Sequence, residues 1–190
     1  MKRFFDKYFE GYEEENVPQI SGKKRKTTYR YVGIYYRMDV KKSVQILLRI
    51  LFVFLFGAAV SLFLFTSSMN LGFNNYPVTI VFQGLTVLSF IWYAYVLLSY
   101  IFAERDLKIY SYKSTSPAII KAGIFTATAF GLDAISVLIF ILFFSHTQTR
   151  NQMFCFIQYL GCVVLILLIS FIENKLPYIK ILNSEKGNEI

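Results

Sequence analysis

From Ile50 to Ala103 the chain carries no charged side chain. A water-soluble core cannot absorb so long an uncharged run in one piece. A bilayer takes it as two helices, because about 20 apolar residues cross its ~30 Å hydrocarbon layer. A second apolar pair follows Pro117, broken only by the polar residues 145–152. The chain therefore reads as an all-α integral membrane protein, a four-helix transmembrane bundle with a small cytosolic β-hairpin and cap. The expected spans are residues 43–66, 77–103, 117–144 and 153–172, which together make a membrane domain over 43–172. Residues 1–42 are the N-terminal cytosolic region and 173–190 a polar cytosolic tail. The first apolar run begins near Ser43, too late for a cleaved leader, and reads as a retained anchor.

Where the charge lies matters more than its net value of +8. Of the 20 Lys and Arg residues, only Arg150 falls in the two loops that face away from the termini, residues 67–76 and 145–152. By the positive-inside rule both termini lie in the cytoplasm, with the plasma membrane as the expected location. A nucleic-acid partner is disfavoured because the cations flank spans. Lys23, Lys24, Arg25, Lys26 and Arg30, with the juxtamembrane Arg37, Lys41 and Lys42, form a basic face. Each such charge gains about 1 kcal/mol beside anionic inner-leaflet lipid, and the same face can dock an acidic partner.

The polar N-terminal region carries local signals. Residues 3–10 read as an amphipathic helix closed by Gly11. Residues 16–20 and 27–32 read as a hairpin turning at Ser21-Gly22, with Glu13, Glu14 and Glu15 facing the Lys23–Lys26 run across the turn. Residues 107–112 alternate weakly and read as a strand added to that hairpin. Pro77 opens the second span, and Ser116-Pro117 supplies an N-cap and first-turn proline for the third.

Asp133 is the one acid deep inside a span. Insertion there costs about 2.5–3.5 kcal/mol, so something must compensate it. Ala122, Thr126, Ala129, Asp133 and Ser136 share one helical face, which must meet protein because lipid offers no hydrogen bonds. By depth, Ser89 and Tyr93 of the second span and Cys162 of the fourth are its candidate neighbours, with Gly57 and Ser61 leaving room on the first. Arg49 and Lys121 lie roughly 13–18 Å nearer the cytoplasm, too far for a salt bridge. Asp133 then serves either as interhelical glue or as a proton- or cation-coupling group. Gly123, Ala127 and Gly131 recur every four residues on another face and read as a helix-packing ladder. Gln83, Gln158 and Tyr159, in the outer half, bond between helices or line an outward pocket.

No Gly-x-Ser-x-Gly, His-Glu-x-x-His or phosphate-cradling glycine loop occurs. His146 is the sole histidine, and Cys155 and Cys162 stand two helical turns apart, too far for a disulfide. Neither a metal, a cofactor nor enzymatic activity is expected. The function classes left are a non-enzymatic accessory, scaffold or regulatory subunit of a larger membrane complex; a small self-associating transporter or channel using Asp133; and a membrane immunity or stress protein.

Overall fold

The computed structural model describes residues 11–17, 26–69, 71–144 and 149–182. In chain order the elements are β1 (Tyr12–Val17), β2 (Lys26–Tyr31), β3 (Tyr35–Met38), α1 (Lys42–Ser68), a 3-10 turn (Gly72–Asn75), α2 (Pro77–Ile101), β4 (Asp106–Lys108), α3 (Ile109–Ser114), α4 (Ser116–Phe143), α5 (Thr149–Lys175) and β5 (Tyr178–Ile181). The helices α1, α2, α4 and α5 are each long and apolar enough to cross a membrane. At 1.5 Å per residue, the shortest, α2 with 25 residues, extends about 37 Å.

The helices bury one side and leave the other apolar and open. Phe54, Val81 and Leu88 are 72%, 68% and 67% exposed, an apolar surface suited to lipid rather than to water. Around the bundle, α1 packs on α5, α5 on α4, and α4 on α2, with the α4–α5 contact the most extensive. The circle does not close tightly, since α1 and α2 touch little. Between them runs an apolar groove of about 320 Å³ lined by Phe56, Val60, Val87 and Ile91 among others. Below it Phe63, Phe90 and Phe130 meet edge to face, with centroids 4.9–5.7 Å apart, tying α1, α2 and α4 together.

Span limits agree with the sequence reading to within a few residues, with three instructive differences. The fourth helix starts at Thr149 and runs on to Lys175, so Glu173, read as the start of a polar tail, is helical and buried. Past the helix the same tail forms β5. The third span is capped by Thr115 rather than Ser116, and Thr115 turns its hydroxyl back to the Ser111 carbonyl at 2.7 Å.

The polar segments form two sheets rather than one. In the first, β1 and β2 pair antiparallel with Tyr12 opposite Tyr31 and Glu13 opposite Arg30. The first strand thus starts earlier than expected and contains the acidic run. Gly11, with φ +84°, makes the tight approach beside it, where an added Cβ would lie 2.9 Å from the Tyr31 ring. In the second sheet β3 is central, antiparallel to β4 on one side and β5 on the other. The expected strand over 107–112 is therefore corrected. Only Asp106–Lys108 is extended, it joins β3 instead of the hairpin, and the residues after it coil into α3. The hairpin meets this sheet through tyrosines: Tyr31 packs edge-on against Tyr12 and Tyr35, and the Ile109 amide donates to the Tyr31 hydroxyl at 3.1 Å. The expected helix over 3–10, the turn at Ser21-Gly22, His146 and the last tail residues fall outside the described residues.

The packing ladder on α4 is used unevenly, which gives a test. A Cβ on Gly123 would fall far inside contact distance of Ser170 Oγ on α5, whereas one on Gly131 would meet nothing within 4 Å. Gly123→Leu is expected to weaken the folded bundle by about 1–3 kcal/mol through overpacking, while Gly131→Ala leaves it unchanged or slightly firmer. Unfolding in detergent titrated with denaturing surfactant measures both.

Candidate functional site

Asp133 lies on α4 with 0% exposure, so no water-sized space adjoins it. Its compensation comes from α2, where Thr86 Oγ1 donates to Asp133 Oδ2 at 2.7 Å. One turn toward the 3-10 end of α2, Ser136 Oγ donates to the Asp133 carbonyl at 2.8 Å and stands 3.2 Å from Thr79 Oγ1. On the other side Thr126 Oγ1 donates to the Ser89 carbonyl at 3.3 Å, and Ser89 Oγ to the Thr86 carbonyl at 2.8 Å. All these residues are at most 1% exposed. The result is a polar seam joining α2 to α4, closed except at Asp133 Oδ1, which has no hydrogen-bond partner among the described residues.

The seam brings together Asp133, Thr126 and Ser136, which share one face of α4, with Ser89 of α2. Other candidates go elsewhere. Tyr93 is fully buried, but it packs against Gly123, nearly three turns along α4 from the acid. Cys162 directs its thiol to the Ala59 carbonyl on α1 at 3.4 Å. Gly57 and Ser61 lie on the outward face of α1, not toward α4, and Ser61 bonds back to the Gly57 carbonyl at 2.9 Å. In the packing ladder Gly123 and Ala127 are buried and Gly131 is half-buried. Gln83 donates to Asn74 Oδ1 and the Tyr159 hydroxyl at 3.0 and 3.2 Å, and Thr66 donates to Gln158 Oε1 at 2.7 Å. These groups bond between elements rather than lining a pocket.

The basic face is divided. Arg37 is built into the sheet, its Nε 2.7 Å and Nη2 3.3 Å from the two oxygens of Asp106 on the neighbouring strand. Such a fork positions β3 against β4 rather than presenting a free cation. Lys41 and Lys42 are exposed at the start of α1. Lys26 and Arg30 lie in β2, opposite Val17 and Glu13, and Lys23, Lys24 and Arg25 are outside the described residues. Lys108, read from sequence only as a strand residue and not as part of the basic face, donates to the Tyr12 hydroxyl at 2.9 Å and lies over the Tyr12 and Tyr31 rings. The Tyr12 hydrogen bond raises its titration above that of an ordinary lysine. Behind it a polar cleft of about 330 Å³ opens between the end of α2 and α3, lined by Ser99, Glu104, Lys108, Ser111 and Thr115 among others.

Two residues that sequence reasoning missed matter most. Thr86 supplies the hydrogen bond to Asp133, and its signal was present in the seven-residue spacing Thr79–Thr86 on the helical face that also carries Ser89 and Tyr93. Glu173 is 1% exposed, yet as an acid at the edge of an apolar run it read as a boundary marker. Among the described residues no cluster of three or more His, Cys, Asp or Glu side chains can hold a metal. Cys155 and Cys162 are both free and buried. Comparison with protein-family models, curated proteins and solved structures finds no match for this chain.

If the seam acts as interhelical glue, its donor matters more than the charge it meets. Thr86→Val is expected to cost about 0.6–1.7 kcal/mol of bundle stability, and Asp133→Asn less, because the amide oxygen still accepts from Thr86. Detergent unfolding measures the pair; a larger loss for Asp133→Asn would contradict the reading.

Proposed function

We propose that this chain is a non-enzymatic multi-pass membrane accessory, a scaffold or regulatory subunit of a larger membrane complex. It holds both termini and its sheets on the cytoplasmic side of the plasma membrane. The observation that carries the reading is the sealed seam. The one deep acid is occupied by Thr86 and has no water-sized space beside it, so in this conformation it serves α2–α4 association rather than a conducting path. The groups accessible to a partner are instead at the sheet end, where a folded surface, the polar cleft and the exposed Lys41 and Lys42 face outward. Anionic headgroups suit those cations as well. A second reading, coupled transport through Asp133, draws on the unpartnered Oδ1, which another conformation would have to hydrate.

Purification in mild detergent separates the two. The accessory reading expects a stoichiometric foreign subunit, retained undiminished by Asp133→Asn. A pure homo-oligomer that moves ions or protons in liposomes, and stops on Asp133→Asn, would replace it with the transport reading.

A further inference from the structure

Four elements meet at one buried carboxyl near the sheet end of the bundle. Glu173, in the last turn of α5, is 1% exposed. The Tyr178 hydroxyl of β5 donates to its Oε1 at 2.7 Å. Tyr100, from the last turn of α2, and Ser116, the first residue of α4, lie beside the same carboxyl, and each is 4% exposed. Glu173 Oε2 and the Tyr100 hydroxyl are both buried without a hydrogen-bond partner among the described residues.

The surrounding charges leave this acid uncompensated. Lys175, on the same helix, lies over the Phe171 ring, 5.7 Å from its centroid. Arg49 of α1 donates to the Ala103 carbonyl at 2.7 Å. With Glu104, Arg105, Tyr100 and Tyr178 it lines a space of about 10 Å³ beside the cluster. On β3, Arg37 is held by Asp106, and Met38 lies opposite Tyr178. Tyr112 of α3 packs edge-on against Tyr178, and Tyr93 is the next buried phenol along α2. Among the described residues none of the cations forms an ion pair with Glu173.

A carboxylate is acceptor-only and needs several donors, or a cation, to be buried. A neutral carboxylic acid needs one donor and one acceptor. Tyr178 supplies the donor, and the Tyr100 hydroxyl, buried and unpaired like Oε2, is available as the acceptor. We propose that Glu173 is a proton-binding site whose occupied form seats β5 on the bundle. Release of the proton to water leaves a buried carboxylate with no cation beside it, which draws water into the cluster and loosens the Tyr178 contact. Because the seated cluster has a place for the protonated carboxyl and no cation for the charged one, seating is complete at low pH and is lost as pH rises past the point of proton release.

The test uses the full chain reconstituted in phosphatidylcholine vesicles, probed with dicyclohexylcarbodiimide. Addition of a protonated carboxyl across the carbodiimide, followed by acyl migration to nitrogen, gives a stable N-acylurea with no by-product, mapped by peptide mass spectrometry. Glu173 is expected to be labelled at acid pH, labelling to fall about tenfold per pH unit above the release point, and sodium chloride to have no effect. Glu173 unlabelled at acid pH, or protected by sodium, overturns the assignment. Hydrogen–deuterium exchange of residues 178–181 reads the coupling. In the unaltered chain protection is expected to fall about tenfold beyond the chemical trend for each pH unit above release, while Glu173→Gln stays protected throughout. Equal loss in both, or loss in neither, overturns the link to β5.

Discussion

In hydrocarbon a polar side chain can bond only to protein, and this bundle is arranged around that constraint. Asp133 and Thr86 must face each other, so α2 and α4 are locked in rotation and depth, and Thr79, Ser89, Thr126 and Ser136 fall into the same seam. Once α4 is fixed, its small residues Gly123 and Ala127 bring α5 in closely. Helix α1 keeps its inner charge, Arg49, at the sheet end on the Ala103 carbonyl, packs on α5 through apolar contacts and the Thr66–Gln158 hydrogen bond, and leaves its seam with α2 open. Individually these hydrogen bonds are modest, near 1 kcal/mol each. Their larger effect is to forbid other arrangements, since rotating α4 would strand a carboxyl in lipid at a cost several times greater.

Much of this was legible in the sequence, for a physical reason. Hydrocarbon excludes charge so strongly that uncharged runs mark spans with little help from context, and the proline starts at Pro77 and Pro117 sharpen two of the boundaries. The polar face of α4 could be read as well, because helical periodicity puts Thr126, Asp133 and Ser136 together whatever their partners are. Partner identity could not be read, because it depends on helix rotation. Ser89, expected beside Asp133, meets Thr126 instead, while Gly57 and Ser61 face outward and Cys162 meets α1. Charge as a boundary marker failed once, at Glu173, where the surrounding hydroxyls let an acid enter the packed end of the bundle. The strands were less legible. Short segments such as Asp106–Lys108 have no periodicity of their own and pair according to where the helices deliver them, so residues 107–112 were read as one strand when only the first two are extended.

The sheet end also differs in kind from the span interior. Its contacts are aromatic and charge-assisted: Tyr36 stacks on Tyr112 at 4.2 Å, Arg37 forks onto Asp106, and Lys108 sits over two tyrosine rings. In water such pairs are individually small, but they rely on one another's geometry and so order segments too short to fold alone. The tyrosine-rich composition of the chain is accounted for largely there rather than among the spans.

The joints between sheet and bundle are very short. Residues 39–41 separate β3 from α1, residues 102–105 separate α2 from β4, and residues 176–177 separate α5 from β5. Three adjacent strands of one sheet are therefore stiff extensions of three different helices. A load on any strand is carried straight into a helix axis, with almost no slack to dissipate it. Mechanically the sheet is a yoke: it cannot tilt unless those helices pivot with it, and the helices cannot splay without shearing its hydrogen-bonded ladder.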